Sequence, residues 1–356
     1  MDAFYASCEE LRHPELRGRP LIVGADPKEG RGRGVVVAAN YPARALGVRT
    51  AMSIRQAWER APSAAYVWPE HSFYSEMGRR IFDDLARDFQ IQRASIDEAF
   101  VDATPHTAWA EAESFAARLH ERVARTSGGL SCSVGVGANR LVAKIASGHR
   151  KPNGTTLVPR ERVQAFLDPL PAREIPFIGP KTSARLAELD IHTVQQLREW
   201  PRDALVRSFG AHGAYMHEAA HGRDESPVLG SRDRAHSMSH EHTFDEDTRS
   251  RGRILSNLRW MMDALEDQLE REAVAYRTVA IKMRYADFAT LTRQASLPRP
   301  TQDVMPARVL VPKILRPMLE DARAVRLVGL RLSTAERDPR QLSLRDFHLE
   351  GVSVAT

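Results

Sequence analysis

A chain of 356 residues is too long for one ordinary core, and with 42% hydrophobic residues it can build the two to four domains that such a length predicts. Its 51 Lys and Arg against 46 Asp and Glu leave a net charge of +5, too mild to identify a nucleic-acid binder by itself. Two cysteines exclude a disulfide framework, no apolar run is long enough to span a bilayer, and no signal-peptide core opens the chain, so a cytoplasmic protein with no membrane attachment is expected.

Residues 20–24 predict a short buried strand, and the glycine- and arginine-rich stretch 28–34 a basic loop leading into an apolar run at 35–39. Helical patterns follow at 53–60 and 72–88. From Ile91 to Asp102 the pattern is strand, carboxylate-bearing turn, strand. A helix is expected at 107–125, a strand at 130–136, a helix from about Asn139 and a turn at 151–154. This alternation predicts an α/β or α+β unit. From 159 to 224 the pattern changes to short helices with glycine turns, and residues 226–240 lack periodicity. Beyond them a separate small α+β unit is expected. Leu255, Leu258, Met262, Leu265 and Leu269 mark one helix face. Val279, Ile281 and Met283 mark one strand face, with Thr278, Lys282 and Arg284 on the other. Thr290, Thr292, Gln294 and Ser296 share a face of the next strand. A sheet that is apolar behind and hydroxyl- and base-bearing in front can follow a phosphate backbone. A half-solvated antiparallel sheet also has a polar face.

The adjacent acids Asp97 and Glu98 interrupt an apolar strand context. Neighbouring strand residues point to opposite faces, so both acids reach one site only at a turn or strand end. Like charges held together need a cation. Mg²⁺ takes carboxylates together with substrate phosphates, and a pair of such ions clamps both oxygens of a phosphoryl transfer.

Around this pair stand Met1-Asp2-Ala3-Phe4-Tyr5-Ala6, Ala39-Asn40-Tyr41-Pro42-Ala43-Arg44, Ser95-Ile96-Asp97-Glu98-Ala99, Ser133-Val134-Gly135-Val136-Gly137-Ala138-Asn139 with Lys144-Ile145-Ala146-Ser147, and Lys151-Pro152-Asn153-Gly154. In this order the set resembles the Y-family DNA polymerases, in particular their bacterial DNA polymerase IV branch, and the resemblance runs to about residue 347.

The resemblance implies an α+β multidomain right hand. It places a palm at 1–3 plus 69–158 without its first strand, fingers at 4–68, a helical thumb at 159–225, a linker at 226–236, a little finger at 237–336 and a tail at 337–356. It implies template-directed addition of deoxynucleotides to a primer 3′-hydroxyl, with low fidelity, lesion bypass and no proofreading. Asp97 and Glu98 become the catalytic metal ligands for two Mg²⁺ ions. Phe4 and Tyr5 meet the incoming nucleotide, and Tyr5 excludes a 2′-hydroxyl by bulk. Tyr41, Arg44 and Lys151 take the triphosphate, a forked contact to which arginine is suited. Gly179 and Lys181, in a segment resembling a helix–hairpin–helix, and Lys282 and Arg284, on the polar strand face, take the DNA backbone. The implied partners are primer–template DNA, deoxynucleoside triphosphates and, through Gln341-Leu342-Ser343-Leu344, the sliding clamp. The protein is expected to be a monomer.

The chain departs from the family pattern at three points. Ala38 stands where a phosphate-binding hydroxyl is usual, and Phe177 replaces a frequent hairpin glycine. Met1 also falls inside the family's Asp-x-Asp, so that Asp2 matches its second, non-ligating acid. From this the chain is expected to be an N-terminally shortened form with compromised activity. A non-catalytic DNA-binding adaptor of the same family and a nucleotidyl cyclase with a carboxylate palm are the alternative readings.

Overall fold

The computed structural model describes residues 1–230 and 237–333. The chain divides into two units, Met1–Arg232 and Asp233–Thr356. No helix among the described residues is long and apolar enough to cross a membrane.

In the first unit, β1 (Leu21–Gly24) is buried at every position because it lies between β2 (Val36–Ala39, antiparallel) and β3 (Ala65–Val67, parallel). Helix α1 (Phe4–Arg12) packs against β1 and β2, and the short helices α2 (Tyr41–Ala45) and α3 (Ile54–Arg60) complete this layer. Asn40 starts α2. Its side-chain oxygen accepts from the N–H groups of Ala43 (3.1 Å) and Leu21 (3.0 Å), and its amide donates to Glu10 Oε1 and the Arg19 carbonyl, both at 2.7 Å. Every polar atom of this buried amide is thus satisfied, and one residue joins α2, β1 and the end of α1.

Helix α4 (His71–Leu85) packs against α5 (Ala112–Ser127) and against β4 (Ile91–Arg93), which forms a hairpin with β5 (Ala99–Val101). Helix α5 begins later than expected. Residues 103–108 turn instead, with Asp102 accepting from the Thr104 N–H at 3.0 Å, and a single 3₁₀ turn at Trp109–Glu111 precedes the helix. Strand β6 (Val134–Gly137) is also shorter than the 130–136 expected, because residues 131–133 pair with the chain start at Asp2 instead of a strand. β6 lies parallel to β7 (Thr155–Val158), a strand the sequence pattern did not separate from the preceding turn. Helix α6 (Arg140–His149), capped by Asn139, crosses β6 at Gly135, where a Cβ would stand 2.1 Å from the Ala143 carbonyl oxygen. Only glycine admits so close a helix, which accounts physically for the Gly135-Val136-Gly137 motif.

Five short helices follow: α7 (Val163–Leu167), α8 (Pro180–Ala187), α9 (Val194–Glu199), α10 (Arg202–Phe209) and α11 (Ala211–Ala220). They enclose a core of Leu167, Ile175, Leu186, Val194, Leu205 and Met216, joined by Leu141 and Ile145 of α6. Residues 226–230, expected as the start of a linker, are held against the first unit. Gln90 Nε2 donates to the Val228 carbonyl (2.5 Å), and the Leu229 N–H donates to Gln92 Oε1 (3.1 Å). Two glutamine side chains there take the place of a strand partner.

The second unit runs β8 (Ser237–Thr248), α12 (Arg251–Glu272), β9 (Tyr276–Tyr285), β10 (Thr290–Thr301), α13 (Met305–Met318) and β11 (Val325–Ser333). Its antiparallel sheet has the order β10-β9-β11-β8. Val279, Ile281 and Met283 are fully buried in a core shared with Leu258, Met262, Leu265 and Leu269 of α12 and Leu315 of α13. Pairing of Thr290 with Arg284, Thr292 with Lys282 and Ser296 with Thr278 gathers the opposite, polar side chains on one face, since residues paired across a ladder share a face.

Candidate active site

The hairpin turn between β4 and β5 is closed by the N–H groups of Ala94 and Ser95, which both donate to the Glu98 carbonyl at 2.9 and 3.1 Å. That tight closure places Asp97 and Glu98 at the strand end, and both border one cavity of about 440 Å³. Ser95 Oγ donates to Asp97 Oδ1 at 2.8 Å. Glu98 is paired with the Lys144 ammonium of α6. Burial pushes the Glu98 carboxyl up, but the hydrogen bond and charge of Lys144, with Lys151 and the chain-terminal ammonium, outweigh it and hold the group below its ordinary range. Glu98 is therefore ionised at neutral pH. Lys151, exposed beside the turn at 152–154, borders the same cavity.

Asp2 has a structural position. It is 2% exposed; it accepts from Ser133 Oγ (2.7 Å) on one oxygen, and from the Asn153 N–H (2.8 Å) and Ser131 Oγ (3.1 Å) on the other. The carboxylate binds the chain start to the segment before β6 and to the turn carrying Lys151. The Met1 ammonium donates to the Asp97 carbonyl at 2.7 Å.

Tyr5 and Phe4 leave the start of α1 in different directions. Phe4 is 4% exposed and its side chain packs in the core, so the role expected of it at the nucleotide falls to its backbone. Tyr5 is half-buried, stacked on Tyr74 at 4.2 Å between ring centroids and edge-on to His71 at 5.7 Å. Burial and then the Asp97 charge raise its hydroxyl pKa. Tyr74 is fully buried and donates to Glu9 Oε1 at 2.6 Å, which fixes the ring beneath Tyr5. Arg44 lies over the Tyr41 ring at 4.9 Å, and its Nε donates to the Ala39 carbonyl at 2.9 Å. The Tyr41 hydroxyl is buried without a hydrogen-bond partner; burial and then the Asp2 charge raise its pKa.

Gly179 caps α8, with Pro180 at its first position and Lys181 exposed at its second. In the second unit Lys282 is paired with Glu241 of β8 at 2.8 Å, and Arg284 Nε donates to Thr290 Oγ1 at 3.1 Å.

The sequence model of the impB/mucB/samB family matches residues 1–148, and that of the family's C-terminal domain matches 235–344. The DNA polymerase IV of Methanoculleus marisnigri is 39% identical over 349 residues, covering 98% of this chain and 96% of that one. That of Halorhodospira halophila is 38% identical, covering 97% and 96%. The chain belongs to the Y family of DNA polymerases, in the DNA polymerase IV branch. A solved Y-family polymerase chimera, Dbh-Dpo4(243-245)-Dbh, superposes with a TM-score of 0.84 at 28% identity, covering 94% of this chain and 97% of that one. An insertion ternary complex of Dbh DNA polymerase superposes at 0.66 and 27%, with the same coverage. As a Y-family member the chain is a DNA-directed DNA polymerase of the translesion kind, of mixed helix and sheet with a C-terminal sheet domain.

Membership implies use of a divalent metal. Among the described residues no group of three or more His, Cys, Asp or Glu side chains is arranged to hold an ion. The donor set at the turn fits a hard cation that takes one or two carboxylates and completes its shell from phosphate oxygens and water, not an all-protein cage.

Sequence reasoning missed two residues that position the carboxylate turn. Lys144 stands out in the sequence only as part of a motif, and its pairing with Glu98 is set by how α6 crosses β6. Gly78 had no signal at all. A Cβ there would stand 2.2 Å from the Ile96 carbonyl oxygen, so α4 supports the carboxylate turn only because residue 78 lacks a side chain. Gly78→Ala is expected to push the turn away and lower primer extension about ten- to a hundredfold, with primer–template binding retained. Steady-state extension beside a binding titration checks this; unchanged extension would mean that the turn yields without cost.

Proposed function

We propose that this polymerase extends a primer 3′ end with deoxynucleoside triphosphates at the cavity bordered by Asp97 and Glu98, as a cytoplasmic monomer on primer–template DNA. The observation that carries the assignment of residues is the pair of acids on one tight turn, Glu98 paired with Lys144, bordering one cavity with Lys151. Asp97 and Glu98 are the proposed ligands of two Mg²⁺ ions, which when bound supply charge to the phosphates and activate the attacking oxygen.

Arg44 is held by its Nε and by the Tyr41 ring, so its two terminal nitrogens remain for a forked phosphate contact. Lys151 adds a point charge to the same group. The first-turn N–H groups of α1, at Phe4, Tyr5 and Ala6, have no acceptor within the helix and suit a phosphate at the helix start. Tyr5 closes the sugar side. The proposed palm, residues 1–3 and 69–158, then carries the chemistry. The fingers, 4–68, carry the nucleotide. The thumb, 159–225, and the little finger, 237–336, carry the DNA. The proposed clamp peptide, Gln341 to Leu344, lies outside the described residues.

Primer extension on a templated duplex with Mg²⁺ and each deoxynucleotide tests the proposal; loss of template-directed incorporation with duplex binding intact would leave the adaptor reading in its place. Binding itself is expected to weaken steeply with salt. Lys181→Ala and Arg284→Ala should each reduce the slope of log affinity against log salt by about one, whereas an unchanged slope would leave either residue merely solvated.

A further inference from the structure

Phe177 stands at the hairpin before α8 with φ +67° and is 82% exposed. A bulky residue in the left-handed region is strained, and glycine would adopt that conformation at no steric cost. The side chain repays little by burial, since its ring meets the chain mainly edge-on against Tyr215 at 5.7 Å. Tyr215 donates to the Pro176 carbonyl at 3.2 Å and stacks on His212 at 5.9 Å, so the exposed ring rests on a braced aromatic ridge. Neither the backbone nor the core accounts for a phenylalanine here. Strain of this kind, held in place by its surroundings, points to a functional contact.

The surroundings fit DNA. Phe177 borders a cavity of about 410 Å³ with Lys144, Lys151 and Arg173, of which Lys144 pairs with Glu98 and Arg173 with Glu174, while Lys151 is exposed. Lys144 and Lys151 also border the carboxylate cavity, so the two cavities adjoin. By adopting the conformation a glycine would take, Phe177 leaves the hairpin's course intact: the Ile178 N–H donates to Ile175 at 3.1 Å, and that of Gly179 to Phe177 at 3.2 Å. The first-turn N–H groups of α8, at Lys181 and Thr182, have no intrahelical acceptor.

We propose that Phe177 lays its ring on a deoxyribose of the primer–template duplex as the duplex leaves the carboxylate site, adding an apolar contact to the phosphate contacts of the same hairpin. This rests on the reading of the chain as a primer-extending polymerase. The sugar is the uncharged, apolar part of a backbone whose phosphates suit the exposed Lys181 and the first-turn N–H groups of α8. The contact contributes affinity that salt does not screen, and it is independent of base sequence.

Phe177→Gly in the full-length protein tests the proposal, because it removes the ring and relieves the strain together. The expected result is a melting temperature equal to or above wild type, primer–template affinity lower by about fivefold, and an unchanged slope of log affinity against log salt. The number of nucleotides added per binding event should fall with affinity. Phe177→Tyr should behave as wild type. If Phe177→Gly binds as tightly as wild type or more tightly, the ring is not a DNA contact. If its loss of affinity comes with a lowered melting temperature that Phe177→Tyr restores, the role is structural. Either outcome overturns this proposal alone, whereas failure of wild type to extend a primer would overturn the function it rests on.

Discussion

Asp97→Ala and Glu98→Ala are each expected to reduce primer extension at least about a thousandfold, the scale on which one well-placed group stabilises developing charge in an active site. The donor set is small, so the two acids cannot cover for each other: the described residues offer no third acid arranged with them to hold an ion. Asp2 does not substitute where it stands, since both its oxygens already accept hydrogen bonds and it is 2% exposed. Glu98→Ala also leaves Lys144 without its partner, whereas Asp97→Ala removes only the acceptor of Ser95. Neither acid is a DNA phosphate contact, so primer–template affinity should stay unchanged or tighten slightly as negative charge is removed. Single-turnover extension and a duplex titration on the same preparations check both halves. Extension by either variant near the wild-type rate would remove these acids from the site.

Tyr5→Ala is expected to raise ribonucleotide incorporation relative to deoxynucleotide by about a hundredfold, the discrimination that a single steric contact in a pocket supplies. The wall is stiff. Tyr5 stacks on Tyr74 at 4.2 Å with 22° between the rings, and Tyr74 is tied to a carboxylate, Glu9, that is fully buried. A rigid ring excludes an extra hydroxyl where a mobile one would give way. Tyr5→Phe should keep the discrimination, because the ring makes the wall and the hydroxyl does not. The ratio of kcat/KM for matched ribo- and deoxynucleotides is the measurement; the same ratio in Tyr5→Ala as in wild type would make Tyr5 a packing residue only.

Local pattern made part of this legible. Two acids breaking a strand pattern at Asp97 and Glu98 announce a turn, and that turn is where the structure has them. The helix expected from about Asn139 is there, and Asn139 caps it. Alternation at Val279, Ile281 and Met283 placed a half-buried strand, and the 3-4 spacing of α12 its packed face. Each of these signals lies within a few residues, where strand or helix period decides which side chains share a face.

Boundaries were less legible, because hydrogen bonds with distant segments set them. Strand β6 starts at Val134 since the residues before it pair with the chain start, and α5 starts late because Asp102 holds a turn. Four-residue β7 is too short for alternation to show.

The sequence by itself determined the family and the mixed helix and sheet fold with its C-terminal sheet unit. Tertiary structure alone decided which polar groups meet. Asp2 binds Ser133 across 131 residues of chain, and Tyr74 binds Glu9 across 65. Lys144 pairs with Glu98 rather than standing free, Phe4 packs inward while Tyr5 stays half-open, and Gly78 carries the turn. The physical reason is that a buried polar or charged group must find a partner, yet nothing in its own neighbourhood of sequence names which one; only the packing of helices and strands brings the candidates within hydrogen-bond reach.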